Sequence, residues 1–130
     1  SGHTALMLAA QEGHDEVIQV LVDTSKSPAH LDARDHSGYA AVMFAALAGH
    51  LQCLQSLVKA GADLTVSDHD GATALLLASE SGAADAVGVL LEAKASPEAC
   101  DSEGRSPLSL ARGEAHEEVV RVLQGYGAKV

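Results

Sequence analysis

Apolar residues recur along this chain in two alternating patterns, one nearly unbroken and one striped. The unbroken segments are short, at residues 5–10, 41–48, 74–78 and 107–111, and consist mainly of Ala, Leu and Met. Polar residues interrupt the segments that follow, leaving Val17, Ile18, Leu21 and Val22, then Cys53, Leu54, Leu57 and Val58, then Ala86, Val87, Leu90 and Leu91. A spacing of i, i+1, i+4, i+5 puts each set on one helix face. Neither helix of such a pair can stand alone in water, where about 12–15 residues is already marginal. Each pair must bury its apolar surface on its neighbours. The pattern therefore predicts an all-α solenoid of stacked helix-turn-helix units.

Recurring glycines set the register. Gly2, Gly38, Gly71 and Gly104 open the units at intervals of 36, 33 and 33 residues. Gly13, Gly49 and Gly82 close the first helices, with Ala115 in the fourth copy, and His14, His50, Ala83 and His116 come next. Asp35, Asp68 and Asp101 each stand three residues before a unit glycine. Asp-x-x-Gly fits a tight turn, with Asp at its first corner and Gly at its last. Thr4, Thr73 and Ser106 occupy N-cap positions and Pro107 a first helical position, which predicts a first helix from about Thr4 to Glu12 and its equivalents. Ala40 lacks the hydroxyl, at a cost of about 1 kcal/mol. Gly13, Gly49 and Gly82 are expected in left-handed caps. Asp15 with Glu16 and Glu117 with Glu118 open second helices at the end of the dipole that favours acids. The units run from about 1 to 34, 35 to 67, 68 to 100 and 101 to 130, forming one domain.

A 33-residue unit with this turn, a Thr-Ala-Leu or Ser-Pro-Leu start, an Ala pair, Gly-His and a Leu-rich second helix resembles the ankyrin repeat. The resemblance covers essentially the whole chain, and it implies β-turn or hairpin fingers projecting from the helix pairs. Met7, Met43, Leu76 and Ser109 take the position of a family histidine that ties the loops by hydrogen bonds, so those ties are expected to be lost. Lys94 replaces the helix-ending glycine seen at Gly61 and Gly127, and Gly88 falls inside a helix. Each costs up to about 1 kcal/mol, which makes the third unit the softest. Arg112 and Gln124 replace small or apolar residues of the other units, giving the fourth unit the polar outer face of a C-terminal cap. The first unit has no such face, so the chain is expected to be a fragment extended N-terminally by more repeats or another segment. Extra residues in the loop Thr24–Ala29 are read as a tolerated bulge.

Composition narrows the function. A net charge of −10, from 18 acids and 8 bases, repels phosphate backbones, so nucleic acid is excluded as a partner. The longest apolar run, residues 39–49, is too short to span a membrane. Cys53 and Cys100 form no Cys-x-x-Cys unit, and the reading is a reducing compartment, cytoplasm or nucleus. His14, His50 and His116 are set by the repeat. His36 and His69 sit near adjacent finger tips with His3 close by, but a zinc site needs ligands about 2.0–2.1 Å from one ion. Neighbouring units lie about 8–10 Å apart, so no metal or other cofactor is expected. A surface whose binding changes as these histidines protonate is the alternative. Cys53 falls on a buried stripe, Cys100 lies by a turn, and no phosphate loop, nucleophile elbow or metalloprotease motif is present. The chain is not expected to be an enzyme.

The resemblance further implies a protein or peptide partner held in a concave groove between finger tips and first helices. Carried over by position, the finger residues are His3, His36, Ser37, Tyr39, His69, Asp70, Ala72, Ser102, Glu103 and Arg105. The helix residues are Gln11, Glu12, Leu47, Ala48, Glu80, Ser81, Gly113 and Glu114. Tyr39, beside Leu47 in the same unit, is the candidate anchor; packing on its own neighbours is the alternative. The acids outnumber Arg105 in this set, which suits a basic, partly apolar segment. The implied role is a scaffold or adaptor. A regulatory inhibitor that occludes an enzyme or transcription factor, and self-association through the uncapped first repeat, stay open.

Overall fold

In each unit a hydroxyl or sulfur at the start, a left-handed residue in the middle and a short loop decide where helices begin and end. The computed structural model describes residues 2–24 and 31–128. Among them are eight helices: α1 (Ala5–Glu12), α2 (Asp15–Thr24), α3 (Ala41–Ala48), α4 (Leu51–Lys59), α5 (Ala74–Ser81), α6 (Ala84–Glu92), α7 (Pro107–Gly113) and α8 (Glu117–Gly125). Thr4 Oγ1 accepts from the Met7 amide at 3.1 Å, Thr73 Oγ1 from Leu76 at 3.3 Å and Ser106 Oγ from Ser109 at 3.1 Å. Ala40 makes no side-chain cap bond. Its amide instead donates to Met43 Sδ at 3.4 Å, as the Thr4 amide does to Met7 Sδ and the Ser106 amide to Ser109 Oγ at 2.8 Å. The position expected to lose its tie thus keeps a local one in three units; Leu76 has no acceptor to offer.

Gly13, Gly49 and Gly82 end their helices at φ of 80°, 75° and 82°. Ala115 and Lys94 adopt the same left-handed region, at φ of 60° and 74°. Both carry a Cβ there, at a cost of about 1 kcal/mol or more.

The helices form two layers. Helices α1, α3, α5 and α7 stack in order, as do α2, α4, α6 and α8, and each pair joined by a short loop packs across the layers. A helix covered on three sides must be apolar nearly all round. That accounts for α3, in which Ala41, Val42, Met43, Ala45 and Ala46 are all buried. The second-layer helices bury one stripe: Cys53, Leu54 and Leu57, then Ala86, Val87, Leu90 and Leu91, then Val119 and Leu123.

The first unit departs from the expected stripe. Ile18 is fully buried, but Val17 is 46% exposed, and Leu21 and Val22 are only half-buried. Val17 corresponds to Cys53, Ala86 and Val119, each of which is buried in a helix that packs on the second helix of the unit before it. No described unit precedes the first, so the same position there faces outward. The loop expected over Thr24–Ala29 lies, from residue 25 onward, outside the described residues. Arg112 and Gln124 are exposed on the fourth unit. No helix of the described residues is long and apolar enough to cross a membrane.

Candidate functional site

The second, third and fourth fingers are each closed by an aspartate. Asp35 Oδ1 accepts from the amides of Ser37 and Tyr39, Asp68 Oδ1 from Asp70 and Ala72, and Asp101 Oδ1 from Glu103 and Arg105, all at 2.9 Å. Backbone bonds complete the turns: the amides of Gly38, Gly71 and Gly104 donate to the carbonyls of Asp35, Asp68 and Asp101, each at 3.0 Å. Burial works against the Asp35 carboxylate, but the Tyr39 and Ser37 amides and His3 together hold its pKa below the usual value. The Arg105 amide is the main cause of the same shift at Asp101, with the Arg105 guanidinium and the Glu103 amide adding to it against burial.

The fingers are also joined to one another. The His69 amide donates to the Ser37 carbonyl at 3.2 Å, and the Ser102 amide and hydroxyl donate to the Asp70 carbonyl at 2.9 and 2.8 Å. Arg34 donates to the Gly38 carbonyl at 3.1 Å and to the Ser67 carbonyl one unit on. Its role is structural, and it was legible only as the residue before the turn aspartate, one repeat before Ser67.

Of the predicted contact residues, Tyr39 and Ala72 are half-buried and the rest are exposed: His3, Gln11, Glu12, His36, Ser37, Leu47, Ala48, His69, Asp70, Glu80, Ser81, Ser102, Glu103, Arg105, Gly113 and Glu114. Tyr39 packs on Phe44 with ring centroids 5.3 Å apart, and His3 meets the same Phe44 edge-on at 5.6 Å. His3 Nε2 lies 3.2 Å from Asp35 Oδ2. The structure so joins the first two fingers through one aromatic cluster. The signal for Phe44 in the sequence is the repeat register, which shows an aromatic ring where the other units carry Leu8, Leu77 and Leu110. Burial first, then the Asp68 carboxylate with Asp35 and Asp70 behind it, pushes the Tyr39 hydroxyl pKa up. Tyr39 is therefore an aromatic ring set among carboxylates.

The cation of the set is engaged within its own finger. Arg105 Nε lies 2.8 Å from Asp101 Oδ2, and its Nη2 lies 3.8 Å from Glu103 Oε2. At the far end of the first helices two histidines reach back to the preceding unit. His50 Nε2 is 3.2 Å from the Gln11 carbonyl, and His116 Nε2 is 2.9 Å from the Glu80 carbonyl. His36 and His69 lie over the glycines of the preceding fingers, Gly2 and Gly38. Among the described residues no three His, Cys, Asp or Glu side chains gather to hold a metal ion. Cys53 is buried and Cys100 exposed, both as free thiols. Burial, with Asp15 adding to it, pushes the Cys53 thiol pKa up.

Against known proteins, the family model described as "Ankyrin repeats (3 copies)" matches residues 1–68 and 42–130. The rat nuclear factor NF-kappa-B p105 subunit is 40% identical over 63 residues, covering 48% of this chain and 6% of that protein. Human ankyrin repeat domain-containing protein 63 is 42% identical over 59 residues, covering 45% of this chain and 15% of that protein. The matched stretch is thus a small part of each of these relatives.

Proposed function

This chain belongs to the ankyrin-repeat family, whose units are generally protein-interaction modules, and from that premise we propose that it acts as a scaffold or adaptor holding a partner protein or peptide. In this reading the contact surface is a groove formed by the finger tips and the exposed side of α1, α3, α5 and α7. Its chemistry is binding, not catalysis. The partner segment is basic and partly apolar.

The observation that carries this reading is the setting of Tyr39. Its half-buried ring is fixed on Phe44, so little side-chain freedom is lost when a partner covers it. Its hydroxyl feels the Asp68 carboxylate most among the charged groups, with Asp35 and Asp70 adding to it, and Leu47, 43% exposed, comes from the helix of the same unit. A guanidinium or ammonium group approaching that ring gains both the carboxylates and the aromatic face. Arg105 does not oppose it, because its charge is directed at Asp101 and Glu103. Exposed Glu12, Glu80 and Glu114 extend the acidic row, which raises association rates more than it deepens affinity.

The test is the affinity of the chain for a panel of peptides mixing Arg or Lys with one apolar residue, followed by fluorescence anisotropy. A Leu47→Ala, Asp70→Lys variant, matched to the parent by melting temperature, should lose at least about tenfold in affinity, and association with the parent chain should slow in salt. Unchanged affinity in the variant would remove this surface from consideration.

One further contact is favoured by a separate observation. Leu8 and Val17 are 48% and 46% exposed at positions that are buried in the third and fourth units, as Leu77, Leu110, Ala86 and Val119 show. The outer face of the first unit is therefore shaped for another ankyrin-type unit, and self-association through it is the second reading. A mass that stays monomeric across a wide concentration range would exclude a second copy as the occupant.

A further inference from the structure

The two histidines that reach back between units expose a third place of the same kind that this chain leaves open. At the junction of the first two units the imidazole of His50 lies over Gly13 and meets the Gln11 carbonyl at 3.2 Å. At the junction of the last two the imidazole of His116 lies over Gly82 and meets the Glu80 carbonyl at 2.9 Å. A methyl group built on Gly13 would come within 2.9 Å of the His50 ring, and one built on Gly82 within 2.7 Å of the His116 ring. Both glycines are needed for the same reason. They make a flat seat for the ring of the next unit.

At the middle junction the corresponding residues are Leu47 for the carbonyl, Gly49 for the seat and Ala83 for the histidine. Gly49 has the same left-handed backbone, φ 75°, and a methyl group built on it meets nothing within 4 Å. Ala83 has no side-chain nitrogen to offer, and its amide is taken by the Ala78 carbonyl. Among the described residues, no backbone or side-chain donor is directed at the Leu47 carbonyl. The notch opens to solvent beside the exposed side chains of Leu47 and Ala48. It lies at the opposite end of α3 from the finger, about 12 Å away for an eight-residue helix.

We propose that this notch is a docking site for the imidazole of a histidine presented by a partner, seated on Gly49 with a ring N–H donated to the Leu47 carbonyl. Two occupied copies in the same chain define the ligand. It is flat, it carries an N–H on its far edge, and it approaches from the side on which the third unit begins. An ammonium group lacks the flat face that the glycine accommodates, and an aliphatic side chain leaves the carbonyl unmet. The site lies at the base of the proposed groove, so it deepens the binding function proposed above and rests on it for the supply of a partner.

The experiment uses N-acetylhistidine methylamide as the probe and amide shifts in nitrogen-15 spectra as the readout. In the parent chain the amides of Gly49 and Ala83 should shift saturably. In Ala83→His the chain's own imidazole fills the notch, so those shifts should vanish and the melting temperature should rise by about 3–6 °C. In His50→Ala a second saturable response should appear at Gly13. Absence of a saturable shift at Gly49 would overturn the proposal, as would shifts that persist in Ala83→His or a melting temperature that falls in that variant. Asp70→Lys by itself separates the two readings. It leaves residues 47–49 and 83 untouched and should still bind the probe even where peptide affinity is lost, whereas Ala83→His leaves the finger surface intact.

Discussion

Adding one methyl group at two repeat-equivalent glycines should have different consequences, because only one of them is covered. Gly82→Ala and Gly49→Ala both place a Cβ in a left-handed cap, at φ of 82° and 75°. That conformation costs an L-residue about 1–2 kcal/mol. Alanine in turn restricts the unfolded chain, recovering about 0.4–1 kcal/mol. The net loss at Gly49 is then about 1 kcal/mol, since the new methyl meets nothing within 4 Å. At Gly82 the methyl would lie 2.7 Å from Cε1 and Nδ1 of the His116 imidazole, closer than a Cβ carbon approaches a ring. The ring can swing away, but it then gives up its 2.9 Å contact with the Glu80 carbonyl, a bond worth about 0.5–1.5 kcal/mol net. Gly82→Ala should therefore lose about 2 kcal/mol. Urea unfolding followed by circular dichroism would resolve the difference, which amounts to about 4 °C in melting temperature for a domain of this size. Repeating Gly82→Ala in a His116→Ala background should shrink its cost to that of Gly49→Ala. Equal losses for the two single variants, or an undiminished loss in the double variant, would refute the idea that glycine here makes room for the next unit's ring.

Leu54→Ala, at a fully buried position, should cost about 2–5 kcal/mol through the cavity it leaves. Val17→Ala, on the exposed outer face of the first unit, should change stability by under about 1 kcal/mol, and the two can be compared by the same urea titration. Lys94→Gly should stabilise the chain by about 1 kcal/mol by relieving the left-handed backbone at φ 74°; a loss of stability by calorimetry would show that Lys94 makes a contribution the backbone does not reveal. Asp35 and Asp101 both have pKa values lowered in the folded chain. Their stabilisation is complete above the unfolded carboxylate value of about 3.9 and is lost as pH falls from there through the folded values. The melting temperature should thus drop as pH is lowered below about 4, and an Asp35→Asn, Asp101→Asn variant should show a shallower fall.

Much of the helical register was legible in the sequence because its causes are local. A hydroxyl three residues before an amide, a glycine able to take positive φ, and an aspartate two and four residues before the amides it caps all act within one turn. Thr4, Gly13 and Asp35 were readable for that reason. Periodicity puts Val17 on the buried stripe although it is exposed, because periodicity identifies a face without saying whether anything covers it. Position in the repeat marks Tyr39 as a candidate anchor, but its packing on Phe44 and the influence of Asp68 on its hydroxyl come from residues on different elements, which spacing alone does not bring together.

The sequence by itself determined the repeat, the helix pairs, the turns and the need to stack, since a helix of eight or nine residues buries enough only against neighbours. Only the tertiary structure decided what each equivalent residue meets. His50 and His116 reach carbonyls of the preceding unit, while Ala83 leaves the Leu47 carbonyl and the surface of Gly49 open. Positions identical in the repeat differ in environment because a solenoid contact always joins two units, and the second partner is written elsewhere in the chain.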